Sequence, residues 1–129
     1  MKHTVMLTIT SLLTILFTTF HLADDIVRGF SPGGLSNLLV VLVWVVWLYA
    51  TLMLVERRSG CIIILVMSLL ASGIPVIHMT GKGVVGGRIA GSSGALFFVW
   101  TLLAVGVTAV FSVILSARGL WNLRRGQPR

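Results

Sequence analysis

The sequence is poor in charged residues. Only 10% of its 129 residues are Asp, Glu, Lys or Arg, whereas 57% are hydrophobic and the mean hydropathy is +1.04. Soluble domains carry about 25% charged residues, and disordered chains combine low hydrophobicity with high charge. Both classes are therefore excluded. The length suits one domain that covers residues 1–129.

Cysteine and acidic residues are also scarce. Cys61 is the only cysteine, which excludes an internal disulfide and any metal motif built from several cysteines. Three acidic residues stand against ten basic ones, giving a net charge of +7. The basic residues lie between and after long uncharged stretches, whereas a nucleic-acid groove binder needs them on one face among aromatic residues. We therefore expect no nucleic-acid partner and interpret them as anchors beside a membrane.

Four stretches contain no charged residue, at about 4–22, 36–55, 61–79 and 94–117. A membrane-spanning helix needs roughly 20 mostly apolar residues, and each stretch meets that length. The sequence therefore predicts an all-α integral membrane protein, folded as a bundle of four transmembrane helices. Short connections make consecutive helices antiparallel neighbours, so the first and third spans are expected to lie diagonally across the bundle.

The basic residues also predict the orientation of the chain. Seven of them lie in the N-terminus, the second connection and the C-terminal tail: Lys2, Arg57, Arg58, Arg118, Arg124, Arg125 and Arg129. Three lie in the first and third connections: Arg28, Lys82 and Arg88. Because cytoplasmic loops carry the excess of Lys and Arg, both termini are expected in the cytoplasm of a cell with a bacterial-type inner membrane.

The first span has one alternative interpretation, a cleaved signal peptide. Lys2 precedes an apolar run that ends at His21, Leu22 and Ala23. Cleavage after Ala23 would place His21 at a position that requires a small residue. The sequence therefore favours an uncleaved span. Cleavage would instead leave three spans and an external N-terminus.

Polar residues recur along one side of the first span. At 100° per residue, one third of the helix circumference holds seven of them: Thr4, Ser11, Thr14, Thr18, His21, Asp25 and Arg28. Polar groups at membrane depth turn toward other helices or a wet cavity, so this stripe is expected to face the bundle interior. The alternative is that the hydroxyl groups only bond to backbone carbonyls or neighbouring helices.

Histidine and aspartate gather at the outer end of this stripe. His21, Asp24 and Asp25 lie within two helical turns, and His78 ends the third span at the same predicted depth. Imidazole and carboxylate groups are ligands for zinc, iron or manganese. The sequence therefore makes His21, Asp25 and His78 candidate ligands for a divalent metal, and the same groups would also suit a proton-handling site. Asp24 is a secondary candidate because it lies off the stripe.

Three observations leave this site open at the sequence level. Charged residues are normal at a membrane surface, and Asp25 has Arg28 three residues away as an ion-pair partner. Two histidines on different helices also permit haem ligation. Pro75 predicts a bend just before His78, and the sequence does not say toward which side that histidine turns.

The sequence carries no recognisable catalytic motif. It has neither the G-x-S-x-G elbow of serine hydrolases nor the H-E-x-x-H pair of metalloproteases. Gly81, Gly83 and Gly86 match the G-x-G-x-x-G spacing, but no strand precedes them as dinucleotide binding requires. That segment is predicted to be a flexible or re-entrant loop. No catalytic residue is assigned, and a non-enzymatic protein is expected.

In size, four short spans resemble the small multidrug-resistance exporters. That family carries an essential Glu in the middle of its first helix, whereas the only Glu here is Glu56, in the polar connection after the second span. The resemblance therefore does not imply the family's exchange mechanism.

Three functions are compatible with the sequence. The first is a non-enzymatic accessory or structural subunit of the inner membrane, in contact with lipid and with a larger membrane protein or a second copy of the chain. The second is a membrane protein that binds a metal or cofactor at its outer face. The third is a small oligomeric transporter lined by the polar stripe.

Overall fold

The computed structural model describes residues 2–80, 89 and 91–126. Within these ranges the chain is all-helical, as predicted, and its four long helices are α1 (Lys2–Val27), α2 (Leu38–Met53), α3 (Arg58–Thr80) and α4 (Ala95–Arg124). A short 3₁₀-helix, Leu35–Asn37, leads into α2. Residues 81–88, which hold the predicted glycine-rich loop together with Lys82 and Arg88, lie outside the described ranges.

Three helices, α1, α3 and α4, are long and apolar enough to cross a membrane. The second predicted span is shorter than expected, since α2 has 16 residues. At 1.5 Å per residue α2 is about 24 Å long, against roughly 30 Å for a hydrocarbon core. The 3₁₀-helix before α2 makes up part of this missing length, because each of its residues rises about 2 Å.

Helix α1 continues five residues beyond Leu22, where the predicted span ends. Arg28 lies one turn after Asp24, and its Nε donates to Asp24 Oδ2 at 2.7 Å, so the polar end of the helix is held by an i,i+4 pair. Gly29 then adopts φ +74°, the left-handed conformation that commonly terminates a helix. The extension carries Asp24 and Asp25 on helical backbone.

The bundle is organised around α4. Both α1 and α3 pack extensively on it, whereas α2 packs less closely against α3 and α1, and α1 barely touches α3. Side-chain contacts join Ser11 to Thr51 and His21 to Thr101, which makes α1 antiparallel to both α2 and α4. Helices α1 and α3 are thus the diagonal pair that the short connections predict.

The link between α2 and α3 is very short. Residues 54–57 connect Met53 to Arg58, at the position of the predicted polar hairpin. Gly60, in the first turn of α3, lies directly against the backbone carbonyl of Leu54, and a Cβ at position 60 would collide with it. Only glycine therefore allows this approach.

The outward surfaces of all four helices carry large apolar side chains that are exposed. The interior holds a core of Leu, Ile, Val, Ala and Trp side chains mixed with buried Ser and Thr residues on the faces that meet. Small residues such as Ser68, Ala71 and Ser112 are buried on α3 and α4, where they allow close helix packing. An apolar exterior around such an interface is typical of helices surrounded by lipid.

Candidate metal centre

The polar stripe of α1 points inward, as predicted. Ser11, Thr14 and His21 are fully or almost fully buried. The hydroxyl groups of Thr14 and Thr18 donate to backbone carbonyls one turn earlier, both at 2.7 Å. The stripe therefore faces the bundle, and part of it is satisfied within its own helix, which was the alternative interpretation of these hydroxyl groups.

The inner part of the stripe forms a closed hydrogen-bond network with α2. Trp47 Nε1 donates to Ser11 Oγ at 2.9 Å, and the hydroxyl groups of Ser11 and Thr51 lie 2.7 Å apart. Thr51 Oγ1 also donates to the carbonyl oxygen of Trp47 at 2.9 Å. All three side chains are buried, and each polar group has a partner. We call this set the inner cluster.

At the other end of α1, three predicted ligands converge. His21 and Asp25 lie one turn apart, and His78 reaches them from α3 across the bundle axis. The two Nε2 atoms are 3.1 Å apart, and Asp25 Oδ2 is 3.9 Å from His21 Nε2 and 3.6 Å from His78 Nε2. Pro75 lies inside α3 three residues before His78, and His78 turns toward His21. We call these three residues the outer cluster.

The spacing of the outer cluster matches one metal ion. A single point lies about 2.1 Å from both Nε2 atoms and Oδ2, the length of Zn–N and Zn–O bonds (about 2.0–2.2 Å). The set is also a group of histidine and aspartate ligands with donor atoms close enough to hold one ion. Two imidazoles and one carboxylate leave at least one coordination position open.

A hydrogen bond from α4 fixes the tautomer of His21. Thr101 Oγ1 donates to the carbonyl oxygen of Phe98 at 3.0 Å, so its oxygen is the acceptor for His21 Nδ1, which lies 3.2 Å away. A proton on Nδ1 leaves the lone pair of Nε2 directed toward His78 and Asp25. Metal-binding histidines are oriented in this way by a partner on their other nitrogen.

Asp25 has one oxygen that lacks a partner. Its Oδ1 is buried and accepts no hydrogen bond from the described residues. A buried, unpaired polar atom costs about 1–3 kcal/mol, and more when it is charged. A cation beside this carboxylate would offset that cost, so the unpaired oxygen independently supports a cation-binding role for Asp25.

Asp24 takes another role. Among the described residues no ion pair joins Arg28 to Asp25, the pairing that the i,i+3 spacing suggests; Arg28 bonds to Asp24 instead. The guanidinium also donates to Ser92 Oγ at 2.7 Å and to the carbonyl oxygen of Ser93 at 3.3 Å. Asp24 thus neutralises an arginine that holds the segment before α4, which leaves Asp25 to face the histidines.

Phe98 packs against both histidines of the outer cluster. It is fully buried, and its ring centroid is 4.9 Å from that of His21 and 5.4 Å from that of His78. Arg28 places its guanidinium over the same ring at 5.5 Å. One aromatic side chain from α4 therefore supports both imidazoles. No sequence pattern indicated this role of Phe98, although Thr101 belongs to a face of small and polar residues on the fourth span.

A cavity of about 230 Å³ opens beside the outer cluster. Its polar lining consists of Thr18 and the three cluster residues, and its remaining walls are apolar: Leu22, Val40, Trp44, Ile74 and Ile77. The two Nε2 atoms are too close together to hold a porphyrin plane between them, so the arrangement does not fit haem ligated by both histidines. It fits a single ion next to a small apolar pocket.

Comparison with protein families, with curated proteins and with solved structures finds no match for this chain.

Proposed function

We propose that this protein is a small multi-pass membrane protein that binds one divalent ion of the zinc class at His21, Asp25 and His78. The observation that carries the proposal is the convergence of three donor atoms, from α1 and α3, on a point at metal–ligand distance from each. The Nδ1 contact of His21 with Thr101 and the unpaired oxygen of Asp25 support it.

The ion would act as a clamp between two helices. Helices α1 and α3 make few contacts with each other, and the outer cluster is where their side chains meet across the axis. A metal ion there would join the diagonal helices directly. We propose a non-enzymatic role for such a clamped bundle, as an accessory or structural subunit of a larger membrane protein or of an assembly of several copies.

The distribution of basic residues supports a placement for the site. If the positive-inside rule holds, both termini lie in the cytoplasm of a bacterial-type inner membrane and the outer cluster lies near the external surface. Cysteine labelling in a Cys61→Ser background tests this. Single cysteines at positions 30–34 should react from outside, and single cysteines at 56–60 should not; the reverse pattern would invert the orientation.

The transporter alternative receives less support from the contacts of the stripe. The hydroxyl groups of Ser11, Thr14 and Thr18 already bond to Trp47, Thr51 or backbone carbonyls. These hydroxyl groups therefore have partners within the bundle, which weakens the argument that they serve a solute path along α1.

Metal analysis of the detergent-purified protein, prepared without chelator, tests the proposal. The wild type should contain about one zinc-class ion per chain. Because Asp24 is bonded to Arg28, Asp24→Asn should keep the ion, whereas Asp25→Asn should lose much of it. Background metal in the wild type, together with no uptake of added zinc, iron or manganese, would overturn the proposal.

A further inference from the structure

The cavity beside the outer cluster borders a second one, with which it shares four lining residues. The second cavity, of about 260 Å³, shares Thr18, Val40, Trp44 and Ile74 with the first. From there it follows α2 and α3 inward to Trp47 and Met67. Together the two cavities form a trough that is polar at the outer cluster and apolar along the rest of its length.

The dimensions of the trough suit one acyl chain. Along α3 it extends from His78 to Met67, eleven residues, or about 16 Å at 1.5 Å per residue. That is about half of a hydrocarbon core of roughly 30 Å, which is the depth of one leaflet. The polar end lies at the end of α1 and α3, where a headgroup would lie, and the apolar end lies toward the bilayer centre.

The charge at the polar end favours an anion. A divalent ion held by two neutral imidazoles and one carboxylate carries a net charge of +1 in apolar surroundings and has an open position beside the cavity. Oxygen donors of carboxylates complete such coordination shells. A carboxylate at the end of an alkyl chain would neutralise this charge and occupy the open coordination position. Its alkyl chain would pack against the apolar walls of the cavity.

On the basis of the proposed metal site, we propose that the trough binds a single-chain carboxylate amphiphile of the fatty-acid class. Its carboxylate coordinates the metal ion that His21, Asp25 and His78 hold, and its chain lies between α2 and α3. Helix α2 packs less closely on its neighbours than α1 and α3 pack on α4, so we expect the chain to enter from the bilayer beside α2.

Trp44 provides the readout, because it lines both cavities and bromine atoms on a bound chain quench indole fluorescence. The zinc-loaded protein, in digitonin to avoid alkyl-chain detergents, is titrated with 11-bromoundecanoate and with 11-bromoundecanol. The carboxylate should bind at least about tenfold more tightly than the alcohol, a difference of about 1.4 kcal/mol. In His78→Ala, which lacks the ion, this preference should disappear.

A matched pair of variants locates the chain. Val40→Phe fills the trough at a position that lines both cavities and supplies no metal ligand. It should weaken binding of both probes about tenfold while the zinc content stays unchanged. Val41→Phe makes the same change on the exposed side of α2. It should alter neither the binding of the two probes nor the zinc content. Both variants are compared by their zinc content and helicity before titration.

The outcomes separate this inference from the proposed function. A wild-type protein that takes up no metal contradicts the proposed function. A protein that holds zinc but binds the carboxylate and the alcohol equally contradicts the inference alone. Unchanged binding in Val40→Phe also contradicts it, and the wild-type comparison remains decisive if that variant does not fold.

Discussion

The two ends of the α1 stripe bury polar side chains in different ways. In the inner cluster Ser11, Trp47 and Thr51 satisfy one another and a backbone carbonyl. In the outer cluster His21 is fixed from one side by Thr101, while its other nitrogen, His78 and Asp25 face a cavity. Both sets join α1 to another helix, but only the outer one keeps an unpaired oxygen.

This difference separates packing from binding. A buried network in which each group is paired needs nothing more to be stable, so the inner cluster is explained by the contact between α1 and α2. A network that leaves a carboxylate oxygen unpaired is destabilising unless a further group completes it. Burial of polar residues in a membrane helix therefore does not by itself identify a site, whereas an unpaired carboxylate oxygen beside two imidazoles supports one.

The largest expected effect is the loss of a ligand. His78→Ala should raise the Kd for zinc by more than about 100-fold, beyond the 10–100-fold typical of residues that only support a ligand. His21→Ala should do the same, and the double variant should be little worse, because one lost ligand already opens the site. Competition with a chromophoric chelator measures this.

Ser11→Ala is the control from the inner cluster, and its Kd for zinc should stay within about twofold of wild type, a difference of less than 0.5 kcal/mol. If the two histidine variants had small and additive effects on the Kd for zinc, the outer cluster would behave like the inner one. The distinction between a binding cluster and a packing cluster would then be lost.

The next effect is that of the residue behind His21. Thr101→Val keeps the volume but removes the acceptor for Nδ1, so the Nε2 lone pair is no longer held toward the metal position. Zinc binding should weaken about 10–100-fold. Thr108→Val is the matched control on α4, because the Thr108 hydroxyl bonds only to backbone carbonyls, at 2.7 Å and 3.3 Å. An equal Kd for zinc in the two variants would argue against the tautomer assigned to His21.

The pH dependence should also differ between the clusters. Imidazole binds metal only when neutral. Zinc affinity should therefore be lower at pH 5.5 than at pH 7.5, because protons compete with the metal for the two histidines. The inner cluster contains no titratable group, so the destabilisation caused by Ser11→Ala should be the same at pH 5.5 and at pH 7.5.

The smallest effect is the free energy of unfolding assigned to the inner cluster. Ser11→Ala leaves the Trp47 indole without its acceptor and should cost about 0.6–1.7 kcal/mol, the range for hydrogen bonds between membrane helices. Ser72→Ala on α3, whose hydroxyl bonds to its own helix at Leu69, should be close to neutral. Unfolding in mixed micelles measures both, and a larger loss in Ser72→Ala would contradict this assignment.

The helices were predictable because uncharged runs define them directly. The ends of the helices were not predictable. Helix α1 continues to Val27, where Asp24 and Arg28 bond to each other, and α2 is shorter in part because a 3₁₀-helix precedes it. Local pairs of polar residues decide such boundaries, and hydropathy does not detect them.

The candidate site was predictable in part for a similar reason. The helical period places His21 and Asp25 together, and bundle topology places His78 at their depth. The contributions of α4 were not predictable, since Phe98 and Thr101 act through the packing of α4 against both α1 and α3. Which of the two aspartates faces the histidines was suggested by the stripe, but its cause is the bond between Asp24 and Arg28.

The contact between Gly60 and Leu54 bears on how the chain enters a membrane. Helix α2 has only 16 residues, which is short for a segment that crosses a bilayer alone, and only residues 54–57 link it to α3. We therefore expect α2 and α3 to insert together as a hairpin, with the longer helix carrying the shorter one. A side chain at position 60 would then impair biogenesis before it could affect the stability of the finished bundle.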